Sequence, residues 1–118
     1  MDKERQAVKA KYDEEVRINE QGFSELTKQK RELDEKRAVQ ATAKKEITLY
    51  LDNTFNELRG KDMANELREL EKFKATVEHE NRLAEQKYEQ EHVEIEKRRK
   101  KLQMQKEEAK TKYRRALS

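Results

Sequence analysis

The residues of this chain that could support catalysis or bind a metal ion are two histidines and many carboxylates. His79 and His92 are thirteen residues apart, so they lack the spacing of an HExxH zinc motif, and we interpret them as solvated surface residues. The sequence contains no GxxxxGK[ST], GxGxxG or GxSxG motif. Two helices alone offer no pocket that could raise the pKa of a carboxyl group. We therefore expect no enzymatic activity, no cofactor and no metal site.

The composition is typical of a long charged helix. Charged residues make up 47% of the 118 residues and apolar residues 32%, with two glycines and no proline, so a compact core is excluded and helix is favoured over disorder. Without cysteine there is no disulfide framework. No apolar run is long enough to span a membrane, and the first residues, MDKERQAVKA, do not resemble a signal peptide. We expect a soluble cytoplasmic protein.

Two heptad frames divide the chain near its midpoint. The first runs from Lys9 to Leu58, and the second, which begins at Met63, is displaced from it by two residues. In one continuous helix that displacement would turn the apolar seam by about 200°, so the chain is expected to break between the frames. Gly60 suits a left-handed residue after the first helix, and Asp62 suits the N-cap of the second.

These features predict an all-α fold in which two long helices form an antiparallel coiled-coil hairpin. The prediction places helix 1 at about 3–59, the turn at Gly60–Asp62 and helix 2 at about 63–116, in a single domain over residues 1–118. An antiparallel dimer of two opened-out chains would use the same residue pairing, so a monomeric hairpin and a swapped dimer both stay open.

In such a hairpin, the residue numbers of facing seam positions add up to 121. Asn19 then faces Leu102, and polar seam residues also find partners. The predicted contacts for them are Gln40 with Asn81, Arg37 over Ala84, Arg98 stacked on Phe23 and Lys30 with Glu91. A parallel dimer would instead place like charges together. For Gly22, inside helix 1, we expect simple tolerance at a surface position, with a point of flexibility or a close contact as the alternatives.

Apolar residues outside the seam near the turn form a candidate partner-binding site. Tyr50 and Phe73 both fall at g positions and are expected to face each other, Leu49 lies at f beside them, and Phe55 lies at e. A core that broadens near the turn would explain Tyr50 and Phe73 but not Leu49. Exposed apolar clusters on charged proteins mark contacts, which predicts a docking patch.

The second candidate site is a basic segment in the last quarter of the chain, with the runs KRRKK and KTKYRR. Its members are Lys97, Arg98, Arg99, Lys100, Lys101, Lys110, Lys112, Arg114 and Arg115. Such a segment could bind an acidic partner, such as nucleic acid, a microtubule or an acidic protein face. The interpretation that we favour is a solvated helix face, because the net charge of the whole chain is only +3.

Three stretches of the chain resemble the central-stalk proteins of bacterial type III secretion, of the FliJ and YscO kind. They are GKDM, ELRELEKFKATVEHENRLAEQKYEQEH and EIEKRRKKLQMQKEEAKTKYRR. The resemblance implies a rod without enzymatic activity that stands in the pore of a hexameric export ATPase and reaches towards the export gate. It also implies a gate-contacting face at Met63, Leu67, Leu70 and Phe73. Because Leu67 and Leu70 belong to the predicted seam, Phe73 is the best candidate of the four.

Two further functions are consistent with the same sequence. One is a cytoskeletal or chromosome-associated coiled coil that binds a microtubule or nucleic acid through its basic C-terminal part, and the other is a generic oligomerisation segment. The last residues, YRRALS, carry no helix stop signal, which is expected of a segment from a longer protein.

Overall fold

A computed structural model describes residues 2–118, which form two long helices. Helix α1 covers Asp2–Leu58 and helix α2 covers Ala64–Leu117. This arrangement confirms the all-α helical hairpin with its turn at Gly60–Asp62. Across residues 2–118, neither helix combines the length and the apolar character that a membrane span requires.

Both helices are supported by local sequence features. Neither contains proline, and most of their residues are strong helix formers. The first turn of α1 carries Asp2 and Glu4, and the last turn of α2 carries Arg114 and Arg115. Acidic residues at the start of a helix and basic residues at its end interact favourably with the helix dipole. Local sequence features thus favour both helices.

The chain reverses direction through Gly60. Its φ of 81° is in the left-handed region, as predicted, and the N–H of Lys61 donates to the carbonyl oxygen of Leu58 at 3.2 Å. The N–H of Leu67 donates to the carbonyl oxygen of Met63 at 3.0 Å, so Met63 occupies the N-cap position of α2. The prediction of Asp62 as N-cap is therefore wrong by one residue.

The chain divides into two compact units, which we describe separately. The terminal unit contains residues 2–32 and 92–118, and the turn unit contains residues 33–91. The terminal unit buries Asn19, Leu26, Ile95 and Ala109, and the turn unit buries Leu33 and Leu51. All six are predicted seam positions. The remaining seam is mostly half-buried, as expected for a two-helix core.

Three contacts differ from the sequence predictions. Gly22 is half-buried, and a Cβ atom there would lie 3.0 Å from Leu102 Cδ1 and Cδ2, so tolerance at a surface position is the wrong interpretation and close contact is the right one. Arg98 is exposed, with its Nε 3.4 Å from Glu94 Oε1, instead of stacking on Phe23. Gln40 Oε1 is buried and accepts no hydrogen bond from any described residue, Asn81 included.

Candidate interaction surfaces

One side of the turn unit is an open, charged groove. The Nζ of Lys74 lies 5.8 Å from the ring centroid of Phe55, which is close enough for a cation–π interaction. Both helices contribute to the groove, whose lining residues are Asp52, Phe55, Asn56, Arg59, Glu71, Lys74, Ala75 and Glu78. Most of these are e and b positions. The groove therefore marks the side of the turn unit on which the e positions of the two helices meet.

Phe55 belongs to this groove and not to a common patch with the other predicted docking residues. Tyr50 and Phe73 are g positions, which lie on the other side of the seam from the e positions. The four predicted docking residues are thus split between two sides of the turn unit. Phe55 is half-buried beneath Lys74, whereas the other three are exposed over about half of their surface or more.

The side opposite the groove carries a set of exposed apolar residues, which we call the apolar side. Tyr50 is 62% exposed, Leu49 is 62% exposed and Phe73 is 49% exposed. Tyr50 and Phe73 share this side, although their rings do not stack within the described part of the chain. Leu49 lies at an f position, about 100° further round the outer surface of α1 than Tyr50. All three side chains are thus exposed within the described part of the chain.

Sequence reasoning missed two members of the apolar side. Val39 in α1 is 71% exposed and Leu83 in α2 is 46% exposed. Both are c positions, which lie next to the g positions on the helix surface. Their spacing in the sequence could have revealed them. Val39 is eleven residues before Tyr50, and Leu83 is ten residues after Phe73. Each separation is about three helical turns, so each residue lies near the same side of its helix as the aromatic residue.

The resemblance to type III secretion stalks implies that four residues contact an export gate, and these four differ in how exposed they are. Met63, Leu67 and Leu70 are half-buried in the seam of the turn unit. Phe73 lies beside that seam with about half of its surface exposed. A partner could reach Phe73 without separating the helices, whereas contact with the other three would compete with the core.

The basic segment of the terminal unit is almost fully exposed. Of its nine predicted members only Lys110 is half-buried, and residues 97–115 contain ten basic and two acidic residues, a formal charge of +8. Because an α-helix turns about 100° per residue, the consecutive residues 97–101 surround α2 and do not form one face. Arg98 pairs with Glu94, and Lys110 lies 3.8 Å from Glu107. The remaining cations face solvent.

The terminal unit also contains two small cavities beside its core. One, of about 260 Å³, lies against Ile18, Asn19 and Leu102, and another, of about 170 Å³, lies against Tyr12 and Tyr113. The two tyrosine rings stack with their centroids 4.4 Å apart. Within residues 2–118, no group of three or more His, Asp or Glu side chains is arranged to hold a metal ion.

One exposed ion pair in the terminal unit lowers the pKa of its carboxyl group. Arg17 donates two hydrogen bonds to the carboxylate of Glu14, one turn before it on α1. These bonds hold the pKa of Glu14 below its ordinary value. The pair is exposed and lies outside both cavities, so it has the character of a helix surface interaction.

Comparisons with protein-family models, with curated proteins and with solved structures find no match to this chain. A proposal for its function therefore rests on the surfaces of the two units.

Proposed function

We propose that this chain is a protein–protein interaction element without enzymatic activity, and that its turn unit binds a protein partner through the apolar side. The observation that carries the proposal is the exposure of Leu49, Tyr50 and Phe73 on a chain in which 47% of the residues are charged. Large apolar side chains are costly to leave in water, and clusters of them on monomeric proteins tend to mark contact sites.

The specific form of the proposal is a coupling rod between a hexameric export ATPase and an export-gate component. It is supported by the resemblance to the stalks of type III secretion and by the helical hairpin, in which Phe73 is accessible beside the seam. In this role the chain would work through rigid contacts and would need no cofactor.

The test is a binding measurement with the purified chain and each candidate partner. We expect the chain to bind the export ATPase, the gate component or both, and the double variant Tyr50→Ser/Phe73→Ser to bind at least about tenfold more weakly, since large buried aromatic anchors dominate interfaces. Ile18→Ser, at an exposed apolar residue of the terminal unit, is the matched control and should bind normally. Equal binding by the double variant and the control would contradict the proposal.

The exposed cations of the basic segment favour a second candidate, a coiled coil that binds a microtubule or nucleic acid. Co-sedimentation at low and at moderate salt tests it, because contacts with phosphates or other anions weaken steeply as salt increases. Two results together would favour this candidate over the coupling rod. The original chain should bind one of the polymers but neither the export ATPase nor the gate component, and the variant Lys100→Glu/Lys101→Glu should lose the polymer binding.

A further inference from the structure

The apolar side of the turn unit has a regular arrangement of apolar and acidic residues. Val39 and Leu83 form its first apolar group, and Tyr50 and Phe73 form the second, about 16 Å further along the helices at 1.5 Å per residue. Between the two groups lie Glu46, at a c position of α1, and Glu80, at a g position of α2, both exposed. The surface therefore presents two apolar groups separated by two carboxylates.

The outer surface of α2 in the terminal unit has the matching arrangement with the opposite charge. Val93 is 42% exposed and Met104 is 64% exposed, eleven residues apart, and both face away from the buried Ile95. Lys97 and Lys100 lie between them at c and f positions, so that the four residues form one stripe along the helix. We call these four residues the basic stripe.

We infer that the basic stripe of one copy of this chain binds the apolar side of the turn unit of a second copy. Val93 and Met104 are separated by about 16 Å, the distance between the two apolar groups. When these residues align with the groups, Lys97 and Lys100 lie at the levels of Glu80 and Glu46. The same alignment holds when the helix that carries the basic stripe runs in the opposite direction. The reason is that each lysine lies four residues from the nearer apolar end of the stripe.

The charges of the two units favour this pairing of unlike surfaces. The terminal unit contains 18 basic and 12 acidic residues, a formal charge of +6, and the turn unit contains 11 basic and 14 acidic residues, a formal charge of −3. Within residues 2–118, no opposite charge lies within 4 Å of Glu46, Glu80, Lys97 or Lys100. These four side chains are thus available to an intermolecular partner, and contact between copies satisfies them in pairs.

This inference rests on the proposed function, in which the apolar side is a contact surface, and names a second copy of the chain as its occupant. The experiment is sedimentation velocity over a range of protein concentrations at low and at high salt. We expect association that increases with concentration and weakens with salt. Glu46→Lys/Glu80→Lys and Lys97→Glu/Lys100→Glu should each raise the dissociation constant at least tenfold, and an equimolar mixture of the two variants should restore association.

Glu71→Lys/Glu78→Lys reverses the same number of charges in the turn unit, but on the groove side, and should associate like the original chain. Circular dichroism checks that each variant remains helical. A chain that stays monomeric at every concentration would overturn the inference, as would association that neither reversal weakens, which is expected of a swapped dimer. If self-association fails while Tyr50→Ser/Phe73→Ser still weakens binding to a protein partner, only the inference fails and the proposed function stands.

Discussion

Asn19 in α1 donates a hydrogen bond from Nδ2 to the backbone carbonyl oxygen of Leu102 in α2, at 2.7 Å. Asn19 is only 8% exposed, and its bond is partly buried beside the core of the terminal unit. A shift of α2 by one residue would move this carbonyl away and leave a buried amide without its partner. Buried asparagine at a seam position fixes helix register in other coiled coils at some cost in stability, and we expect the same role for Asn19.

Asn19→Ala is expected to lower the free energy of unfolding by about 1–2 kcal/mol, because it removes a buried hydrogen bond and leaves a small cavity. Urea denaturation followed by circular dichroism measures the change. Gln21→Ala, at an exposed position of the same helix, should change the free energy by less than about 0.5 kcal/mol. Equal effects of the two variants would show that the Asn19 bond adds nothing to stability.

Gly22→Ala is expected to give less than the usual stabilisation for this substitution in a helix. Alanine is favoured over glycine by about 1 kcal/mol in a helix interior. Here the new methyl group would lie 3.0 Å from both δ carbons of Leu102, so that side chain must move, and most of the gain is lost.

A double-mutant cycle isolates this contact. In the background of Leu102→Ala, the substitution Gly22→Ala should recover the full stabilisation of about 1 kcal/mol, since the obstructing δ carbons are gone. The same gain with and without Leu102 would mean that the two residues do not interact.

Gly60→Ala is expected to destabilise the hairpin by about 1–2 kcal/mol through backbone conformation alone. The φ of 81° is unfavourable for residues with a Cβ atom, yet a Cβ here would have no neighbour within 4 Å. Gly60→Asn should cost less, because asparagine tolerates the left-handed region better than alanine does. Thermal unfolding of the two variants tests this order, and the reverse order would point to a side-chain contact instead.

The seam was predictable because heptad spacing directly encodes which residues face the partner helix. Each of the six buried residues, Asn19, Leu26, Leu33, Leu51, Ile95 and Ala109, occupies a predicted seam position. Lys9, Lys44, Lys74 and Arg98 occupy seam positions too, but they are exposed because their long side chains carry the charge outwards into water.

Contacts that depend on side-chain length and direction could not be read from the heptads. The pairing rule places Ala109 opposite Tyr12, but the ring of Tyr12 reaches one turn further and stacks on Tyr113. Leu102 likewise covers Gly22 in addition to receiving the bond from Asn19. The candidate surface was likewise predictable only in part. The heptads placed Tyr50 and Phe73 on one side of the hairpin. They did not reveal the exposure of Val39 and Leu83, because that exposure follows from how narrow the buried seam is.

Replacing Arg17 by glutamine is expected to raise the pKa of Glu14 back towards its ordinary value. The lowering comes first from the hydrogen bond donated by Arg17, with the opposite charge as a smaller cause. Because the pKa is lower in the folded state, the pair stabilises the helix above the ordinary carboxyl pKa, and this contribution is lost as pH falls through the folded pKa. Carboxyl NMR titration of both proteins measures the shift. An unchanged pKa in Arg17→Gln would show that another group causes it.

Gln40→Met is expected to raise the free energy of unfolding by about 1 kcal/mol. The Oε1 atom of Gln40 is buried in the turn unit without a hydrogen-bond donor among the described residues, and a buried polar atom without a partner costs about 1–3 kcal/mol. Methionine has nearly the same shape and no polar atom to desolvate. Gln90→Met, at an exposed position of α2, is the matched control and should leave stability nearly unchanged. A loss of stability in Gln40→Met would show that the amide does find a partner in solution, for example a bound water molecule.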